Sequence, residues 1–378
     1  MLAMWLHPAG GSMTAGTSLT DAASSVGSRI GRYFGVVGMI PALLLVLWGA
    51  VLITSDAWRD RPNLARLAKA LSGWTLSSYA GALLWILLAS LVVGLILNPL
   101  QFGMTRILEG YWGTSGPARV VMRWRIGRHR RRLDLLRTRR ERLRERQNEG
   151  MDKLLGELYG EDPETWSAQT LTTRRDGLFK SLDGARFAGL RAAEDALYGI
   201  LRSHPDVTRT MPTRLGNVLR AAEDQVGKQY GLDVTVTAQH FSMVADQRHL
   251  DYLRDARQQF DLTVRLCVVF LIATVMAVSC LLTDGWWLLI ALVPYACSWL
   301  AYRASVGSAA DYMTVVATVV DLNRFKLYES LHTALPRNSV EERWNNEKLI
   351  KLLDQDHKAS VRYEHPEPSA PPTPPGNP

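Results

Sequence analysis

The sequence predicts an all-α integral membrane protein with four transmembrane helices in two hairpins and a helical cytoplasmic domain. The first observation is that four uncharged, mainly apolar stretches cover residues 33–55, 70–105, 266–283 and 285–302. At 1.5 Å per helical residue, even the two shorter stretches reach about 27 Å, close to the thickness of a hydrocarbon core. The second observation is the long hydrophilic segment between the two pairs. Its Gly and Pro residues recur at intervals that suit helices rather than strands.

The chain therefore divides into six predicted segments. These are a disordered N-terminal tail (1–32), a first hairpin (33–103) with an outer loop (56–77), a cytoplasmic helical domain (104–262) with an Arg-rich helix (120–148), a second hairpin (263–303), cytoplasmic helices (304–362) and a disordered Pro-rich tail (363–378). The first 33 residues lack a basic stretch followed directly by an apolar core and a small-residue cleavage site. We therefore expect a retained anchor rather than a cleaved signal peptide.

The distribution of charge predicts the orientation. The net charge is +8, and residues 103–149 alone carry fourteen Arg against five acidic residues. Basic flanks of membrane spans stay in the cytoplasm, which places both termini and the central domain of a multi-pass cell-membrane protein inside. The outer loop departs from the rule, since it carries four basic residues of its own: Arg59, Arg61, Arg66 and Lys69.

Two features of the first hairpin concern packing. In the outer loop, residues Leu64, Leu67, Ala68 and Leu71 have amphipathic spacing, which suits either a short helix on the outer leaflet or a helix packed on the rest of the protein. Small residues in three of the spans predict close helix contacts: Gly31, Gly35 and Gly38; Ser90 and Gly94; Ala273 and Ala277.

The second hairpin is predicted as two spans joined by the tight turn Asp284-Gly285. After it, residues 304–331 continue as an emerging helix beside a helix over 247–261. The alternative, a fifth span over 304–320, would bury the carboxylate of Asp311 in lipid. Within the fourth span, Pro294 predicts a bend because proline removes one backbone donor.

The ends of this region give two further expectations. Arg265 and Arg303 bracket the hairpin on its cytoplasmic side, where we expect both side chains to extend to the head groups. A last helix is predicted from Ser339 to about Asp354, with Glu342 three residues after Ser339 in the spacing of a capping box.

The most distinctive functional feature is the run of Arg in the predicted helix 120–148. Twelve Arg lie between Arg123 and Arg146 against three acidic residues, with Trp124 at the end nearest the membrane. Such a helix can bind anionic head groups at roughly 1 kcal/mol per basic residue near the surface. The alternative is that the run is only the topology signal after the second span, with its charges solvated. The predicted lipid-binding residues are Arg123, Arg125, Arg128, Arg130, Arg131, Arg132, Arg137, Arg139 and Arg140.

Signals for catalysis, metals and cofactors are missing from the sequence. The three cysteines, Cys267, Cys280 and Cys297, lie inside predicted spans, and none of the eight histidines has HExxH spacing. No phosphate-binding GxxxxGK[ST] loop, GxGxxG fingerprint or GxSxG elbow occurs. We therefore predict no catalytic residue, no metal site and no cofactor.

These observations favour a non-enzymatic, membrane-anchored protein that senses, scaffolds or recruits a partner. The alternative is an oligomeric pore-forming or channel-like protein, which the sparse polar content of the second hairpin disfavours. Expected partners are anionic membrane lipids, an unidentified protein and a second copy of the chain. Nucleic-acid binding is disfavoured because aromatic stacking residues are sparse around the Arg run.

The sequence from Pro212 to Glu223, Pro-Thr-Arg-Leu-Gly-Asn-Val-Leu-Arg-Ala-Ala-Glu, is followed by Tyr-Gly-Leu-Asp at 230–233. After the second hairpin comes the exit segment Asp-Leu-Asn-Arg-Phe-Lys-Leu-Tyr at 321–328. Together these segments resemble a group of uncharacterised actinobacterial multi-span membrane proteins over residues 212–335. The resemblance implies a bacterial cytoplasmic membrane and no particular activity.

Overall fold

The computed structural model describes residues 38–59, 61–63, 65, 66, 68, 76–160, 166–180, 185–355 and 359–364. Within these ranges the regular elements are helices, which confirms the all-α class, and the one β pairing is an isolated bridge between Thr333 and Tyr363. The α-helices are α1 (Ile40–Thr54), α2 (Leu76–Glu109), α3 (Gly116–Tyr159), α4 (Ala168–Phe179), α5 (Ala185–Arg202), α6 (Arg214–Gln225), α7 (Val234–Val244), α8 (Gln247–Leu281), α9 (Leu292–Ser330) and α10 (Ser339–Leu353). The predicted N-terminal tail (1–32) and residues 365–378 of the predicted Pro-rich tail (363–378) lie outside the described residues.

Three helices among the described residues are long and apolar enough to cross a membrane, one fewer than the four predicted. They are Ala80–Glu109, Gln247–Leu281 and Gly285–Ser330. The helix of the predicted first span, α1, has 15 residues. Its length is therefore about 22 Å, shorter than a typical hydrocarbon core. Residues 33–37 of that span lie outside the described part of the chain. The three longer apolar helices named above suggest that the protein is associated with a membrane.

The chain forms two compact units. The membrane unit combines Met1–Thr105 with Glu223–Pro378, and the central unit is Arg106–Ala222. The predicted central domain ran to residue 262. Residues 223–262, which contain α7 and the start of α8, instead belong to the membrane unit because they pack along α9.

In the membrane unit, α1 runs beside α8 in the same direction. Ordered contacts along both helices show this: Gly38 lies beside the Arg265 guanidinium, Trp48 Nε1 donates to the Ala273 carbonyl at 3.1 Å, and Leu52 packs with Leu281. Small residues allow the close approach. A Cβ added to Gly94 of α2 would lie 3.4 Å from the Gly38 carbonyl, and Ser90, Ala273 and Ala277 are buried. The prediction of close packing is confirmed for these positions. Gly31 and Gly35 lie outside the described residues.

Helices α8 and α9 form one long antiparallel pair. Four contacts fix their register: Ser298 Oγ to the Cys267 carbonyl at 2.8 Å, Thr263 to Ser308 at 3.0 Å, the stacked rings of Phe260 and Tyr312, and Asn323 Nδ2 to His249 Nδ1 at 3.0 Å. The predicted continuation through 304–331 is therefore confirmed. The apolar residues of 304–320 pack against α7 and α8, while Asp311 is exposed.

Two details of this pair differ from prediction. A 3-10 helix over Gly285–Ala291 joins the two helices instead of a two-residue turn, and α9 begins only at Leu292. Pro294 therefore lies in the first turn of α9, directly after the 3-10 helix, and the bend that it predicts stays a prediction.

Helix α10 begins at Ser339 as predicted, but its cap is different. The Asn338 side chain accepts from the N–H groups of Val340 and Glu341, at 3.0 and 2.9 Å. Glu342 is buried and accepts from Arg324 Nε at 2.9 Å. The capping-box prediction fails because the Glu342 carboxylate is used in this ion pair, which joins α10 to α9.

The central unit contains α3, α4 and α5 around a small apolar core. The core residues are Met151, Leu154, Leu155, Leu178 and Phe187. Two ion pairs also join α3 to the neighbouring helices: Arg140 pairs with Glu194 of α5 at 2.9 Å, and Asp152 pairs with Arg175 of α4 at 2.6 Å. Both pairs are about one-third exposed or less. The predicted Arg-rich helix over 120–148 is part of α3, which extends from Gly116 to Tyr159.

Candidate functional site

The start of the Arg-rich helix α3 is held by the loop over residues 210–217. Gly110, in the turn that precedes α3, adopts a φ of 105° and lies against Pro212. Thr213 Oγ1 donates to the Glu109 carbonyl at 2.7 Å, and a Cβ on Gly216 would collide with that same carbonyl. The Pro-Thr-Arg-Leu-Gly segment, residues 212–216, therefore packs against the turn between α2 and α3 and holds it in place.

The same loop holds α3 itself. Arg125 Nε donates to the Pro212 carbonyl at 3.3 Å. The loop is closed by Asn217, whose side chain bonds both the N–H and the carbonyl of Met211, at 2.8 and 3.0 Å. A buried amide with several hydrogen-bond partners has one favourable position, so Asn217 gives the loop a fixed conformation. Because the loop contacts the start of α3, it fixes where that helix begins.

The outward surface of α3 is covered with arginine. Eleven Arg on this helix are exposed: Arg119, Arg123, Arg128, Arg130, Arg131, Arg132, Arg137, Arg139, Arg142, Arg144 and Arg146. The buried or half-buried side chains, among them Ile126, Leu133, Leu136 and Leu143, recur at helical spacing on the remaining side. The helix thus presents one apolar stripe to its own unit, and most of its guanidinium groups lie on the exposed remainder of its circumference.

The nine predicted lipid-binding residues fall into two groups. Seven are exposed: Arg123, Arg128, Arg130, Arg131, Arg132, Arg137 and Arg139. The other two have partners inside the unit, since Arg125 bonds Pro212 and Arg140 pairs with Glu194 and stacks on the Tyr198 ring. Sequence alone did not separate these groups, because Arg125 and Arg140 belong to the stripe that the neighbouring α5 and the 210–217 loop cover.

Two histidines lie close together beneath this basic surface. His129 of α3 is near the Pro212 backbone, and His204 Nδ1 lies 2.9 Å from the Ile200 carbonyl. Burial lowers the pKa of both imidazoles, and neighbouring cations lower it further: Arg125 and Arg132 for His129, and Arg214, Arg132 and Arg137 for His204. Backbone hydrogen bonds oppose these effects only in part.

These histidines predict a pH dependence of stability. Their folded pKa lies below the unfolded value of 6.5, so protons bind the unfolded chain more tightly. Their destabilising effect is absent above about pH 7.5 and grows as the pH falls through 6.5. We expect the thermal unfolding midpoint to drop between pH 7.5 and 5.5, and to drop less in the double variant His129→Gln, His204→Gln. Equal slopes in the wild-type and double-variant proteins would contradict the assignment.

A buried polar cluster that the sequence did not predict lies where α2 meets α8. Arg265 is only 1% exposed. Its Nε donates to Gln101 Oε1 at 2.6 Å and its Nη2 to Asn98 Oδ1 at 2.9 Å. The expectation that Arg265 extends to the head groups is therefore wrong: two side-chain amides of α2 accept its hydrogen bonds instead, whereas Arg303 is exposed and stacks on Trp299.

The cluster continues one turn along α8. Gln101 Nε2 donates to Asp261 Oδ1 at 3.2 Å, and Arg257 lies 3.6 Å from the other oxygen of the same carboxylate. Arg257, Asp261 and Arg265 are four residues apart, so they share one face of α8. The cluster could have been predicted from this spacing on α8 together with Asn98 and Gln101, which are three residues apart on α2. The cluster can hold α2 to α8 at one end of their apolar stretches.

Three serine and threonine hydroxyl groups in the second hairpin are bonded to backbone carbonyls. Thr274 donates to the Phe270 carbonyl at 2.7 Å, Ser279 to Met276 at 2.9 Å and Ser298 to Cys267 at 2.8 Å. Such bonds satisfy a hydroxyl in an apolar environment. In the part of the chain that is described, no group of three or more His, Cys, Asp or Glu is placed to hold a metal ion.

Comparison of the sequence with protein-family models, with curated proteins and with solved structures gave no match.

Proposed function

We propose that the protein is a non-enzymatic membrane anchor that presents the basic helix α3 to the acidic lipid of the cytoplasmic leaflet and so positions a partner-recruiting unit there. The observation that carries the proposal is the set of eleven exposed Arg on α3, which begins seven residues after α2 ends. Each basic residue near an acidic surface contributes about 1 kcal/mol.

The proposal includes the orientation. Basic flanks favour the cytoplasmic side, so α2 would end inside and the central unit and both termini would lie in the cytoplasm. This requires α1 to cross the membrane as well. Supporting this, α1 runs beside the apolar part of α8 from Arg265 to Leu281. A short span of this kind can be accommodated by local thinning of the bilayer.

An anchor fits the second hairpin better than a pore does. A water-filled path needs polar side chains directed into it, whereas the hydroxyls of Thr274, Ser279 and Ser298 donate to carbonyls. The polar residues at one end of the spans are bonded to one another in the Arg265 cluster, which favours a structural role in joining helices.

Cysteine labelling tests this topology. In a chain with Cys267, Cys280 and Cys297 replaced by Ala, we expect an impermeant maleimide to label Ser72→Cys in intact cells, and Ser115→Cys and Ser12→Cys only after permeabilisation. The outer loop is then outside, and the start of α3 and the N terminus are inside.

Two results would contradict the topology. Labelling at Ser115→Cys but not at Ser72→Cys in intact cells would show that the orientation is inverted. Labelling at both Ser12→Cys and Ser72→Cys would show that α1 does not cross, which would place the N terminus outside.

A further inference from the structure

The first turns of α3 expose apolar side chains among the arginines. Val120 is 67% exposed, Val121 47% and Trp124 60%, and Leu135, three turns further along, is 72% exposed. Relative to Trp124, Val120, Val121 and Leu135 lie within about 60° around the helix axis, at 100° per residue. They therefore form one apolar strip, defined here as Val120, Val121, Trp124 and Leu135.

Arginines border this strip. Arg128 and Arg131 lie between Trp124 and Leu135 on the same side of the helix, and the Arg128 guanidinium is 5.8 Å from the centre of the Trp124 ring. Arg139 and Arg142 continue that side beyond Leu135. On this side of α3, most of the apolar residues lie in the turns nearest α2, and most residues further along the helix are arginines.

An exposed apolar strip of this kind indicates a surface that binds a partner. An acidic bilayer surface fits both parts: valine and tryptophan side chains partition into the region between head groups and acyl chains, and guanidinium groups bind the phosphates beside them. The position in the chain agrees, because the strip begins eleven residues after the end of the apolar helix α2.

We infer that α3 inserts the apolar strip into the acidic leaflet, with Trp124 as its deepest side chain, and does not rest on head groups through charge alone. This inference rests on the proposed function, because it requires α3 to lie at the membrane. It adds a hydrophobic contribution to binding that salt does not screen.

The test uses the full-length chain without native cysteines, in nanodiscs of zwitterionic lipid alone or mixed with acidic lipid. A nitroxide is attached at Val120→Cys, Trp124→Cys or Leu135→Cys. The matched control is Arg130→Cys, which is also exposed but lies about 120° around the helix from Trp124. Accessibility to oxygen, which concentrates in lipid, is compared with accessibility to a water-soluble nickel complex.

In acidic nanodiscs we expect the oxygen-to-nickel accessibility ratio to be several-fold higher at residues 120 and 124 than at residue 130. The ratio at residue 120 should fall in a chain that also carries Trp124→Ser and should be retained with Trp124→Phe, since phenylalanine also partitions into the interface. Zwitterionic nanodiscs should give a smaller difference between the positions.

A nickel-chelating lipid head group separates failure of this inference from failure of the proposed function. Relaxation of the label at residue 130 by that lipid, together with equal oxygen-to-nickel ratios at residues 124 and 130, would overturn insertion but leave contact with the head groups. No relaxation at any position would overturn both proposals. Protection of residue 124 from both oxygen and nickel would show that a protein surface covers the strip, which would also overturn the inference.

Discussion

Replacement of Arg265 with Met should destabilise the membrane unit by about 3–5 kcal/mol, the usual effect of removing one member of a buried charged network. Arg265 is the donor that Gln101 Oε1 and Asn98 Oδ1 share, and it lies near Asp261. Methionine fills a similar volume but donates nothing. The variant would therefore leave the amide oxygens of Gln101 and Asn98 without this donor, beside the buried carboxylate of Asp261.

The measurement is thermal unfolding of the purified full-length protein in detergent, followed by loss of its monodisperse chromatographic peak. Arg303→Met is the matched control, since Arg303 is exposed and its replacement should change stability by no more than about 0.5 kcal/mol. Arg265→Lys should fall between the two, because one ammonium cannot reproduce the fork of two guanidinium hydrogen bonds. An Arg265→Met protein as stable as the control would show that the cluster does not hold α2 to α8.

The parts of the fold that follow local patterns were predictable from sequence. The apolar stretches locate α2, α8 and α9, and the Arg run lies within α3. Helix α6 follows a local pattern as well, because Leu215, Val218 and Leu219 recur at helical spacing and are buried.

The parts that depend on distant residues were not predictable. Arg265 is charged and lies at the end of an apolar stretch, which by itself indicates an exposed side chain. Its partners Asn98 and Gln101 are more than 160 positions away in sequence. Glu342 is a second example. Its position three residues after Ser339 indicated a helix cap, but its carboxylate pairs with Arg324 of another helix.

The candidate lipid-binding surface was predictable in location but not in detail. A run of arginine identifies a basic helix, but it does not show that Arg125 and Arg140 face inward to Pro212 and Glu194. Nor does it show that the turn before α3 is clamped by Thr213 and Gly216, because that contact depends on how residues about 100 positions apart meet.

Substitution of five exposed Arg on α3 by Gln should abolish most binding to acidic lipid. The five are Arg128, Arg130, Arg131, Arg132 and Arg139, and they leave the inward pairs of Arg125 and Arg140 intact. At about 1 kcal/mol per basic residue, the loss is about 5 kcal/mol, or more than a thousandfold in affinity. Lysine at the same five positions keeps the charge and should retain binding to within about tenfold.

The most direct test is flotation of the central unit, residues 106–222, with lipid vesicles, after circular dichroism has shown that each variant is helical. We expect the wild-type and five-Lys proteins to float with acidic vesicles, and less so as salt is raised, because the Debye length shortens. The five-Gln protein should remain in the unbound fraction. Equal flotation with zwitterionic vesicles, or unchanged binding of the five-Gln protein, would contradict the claim that α3 binds the acidic leaflet through its arginines.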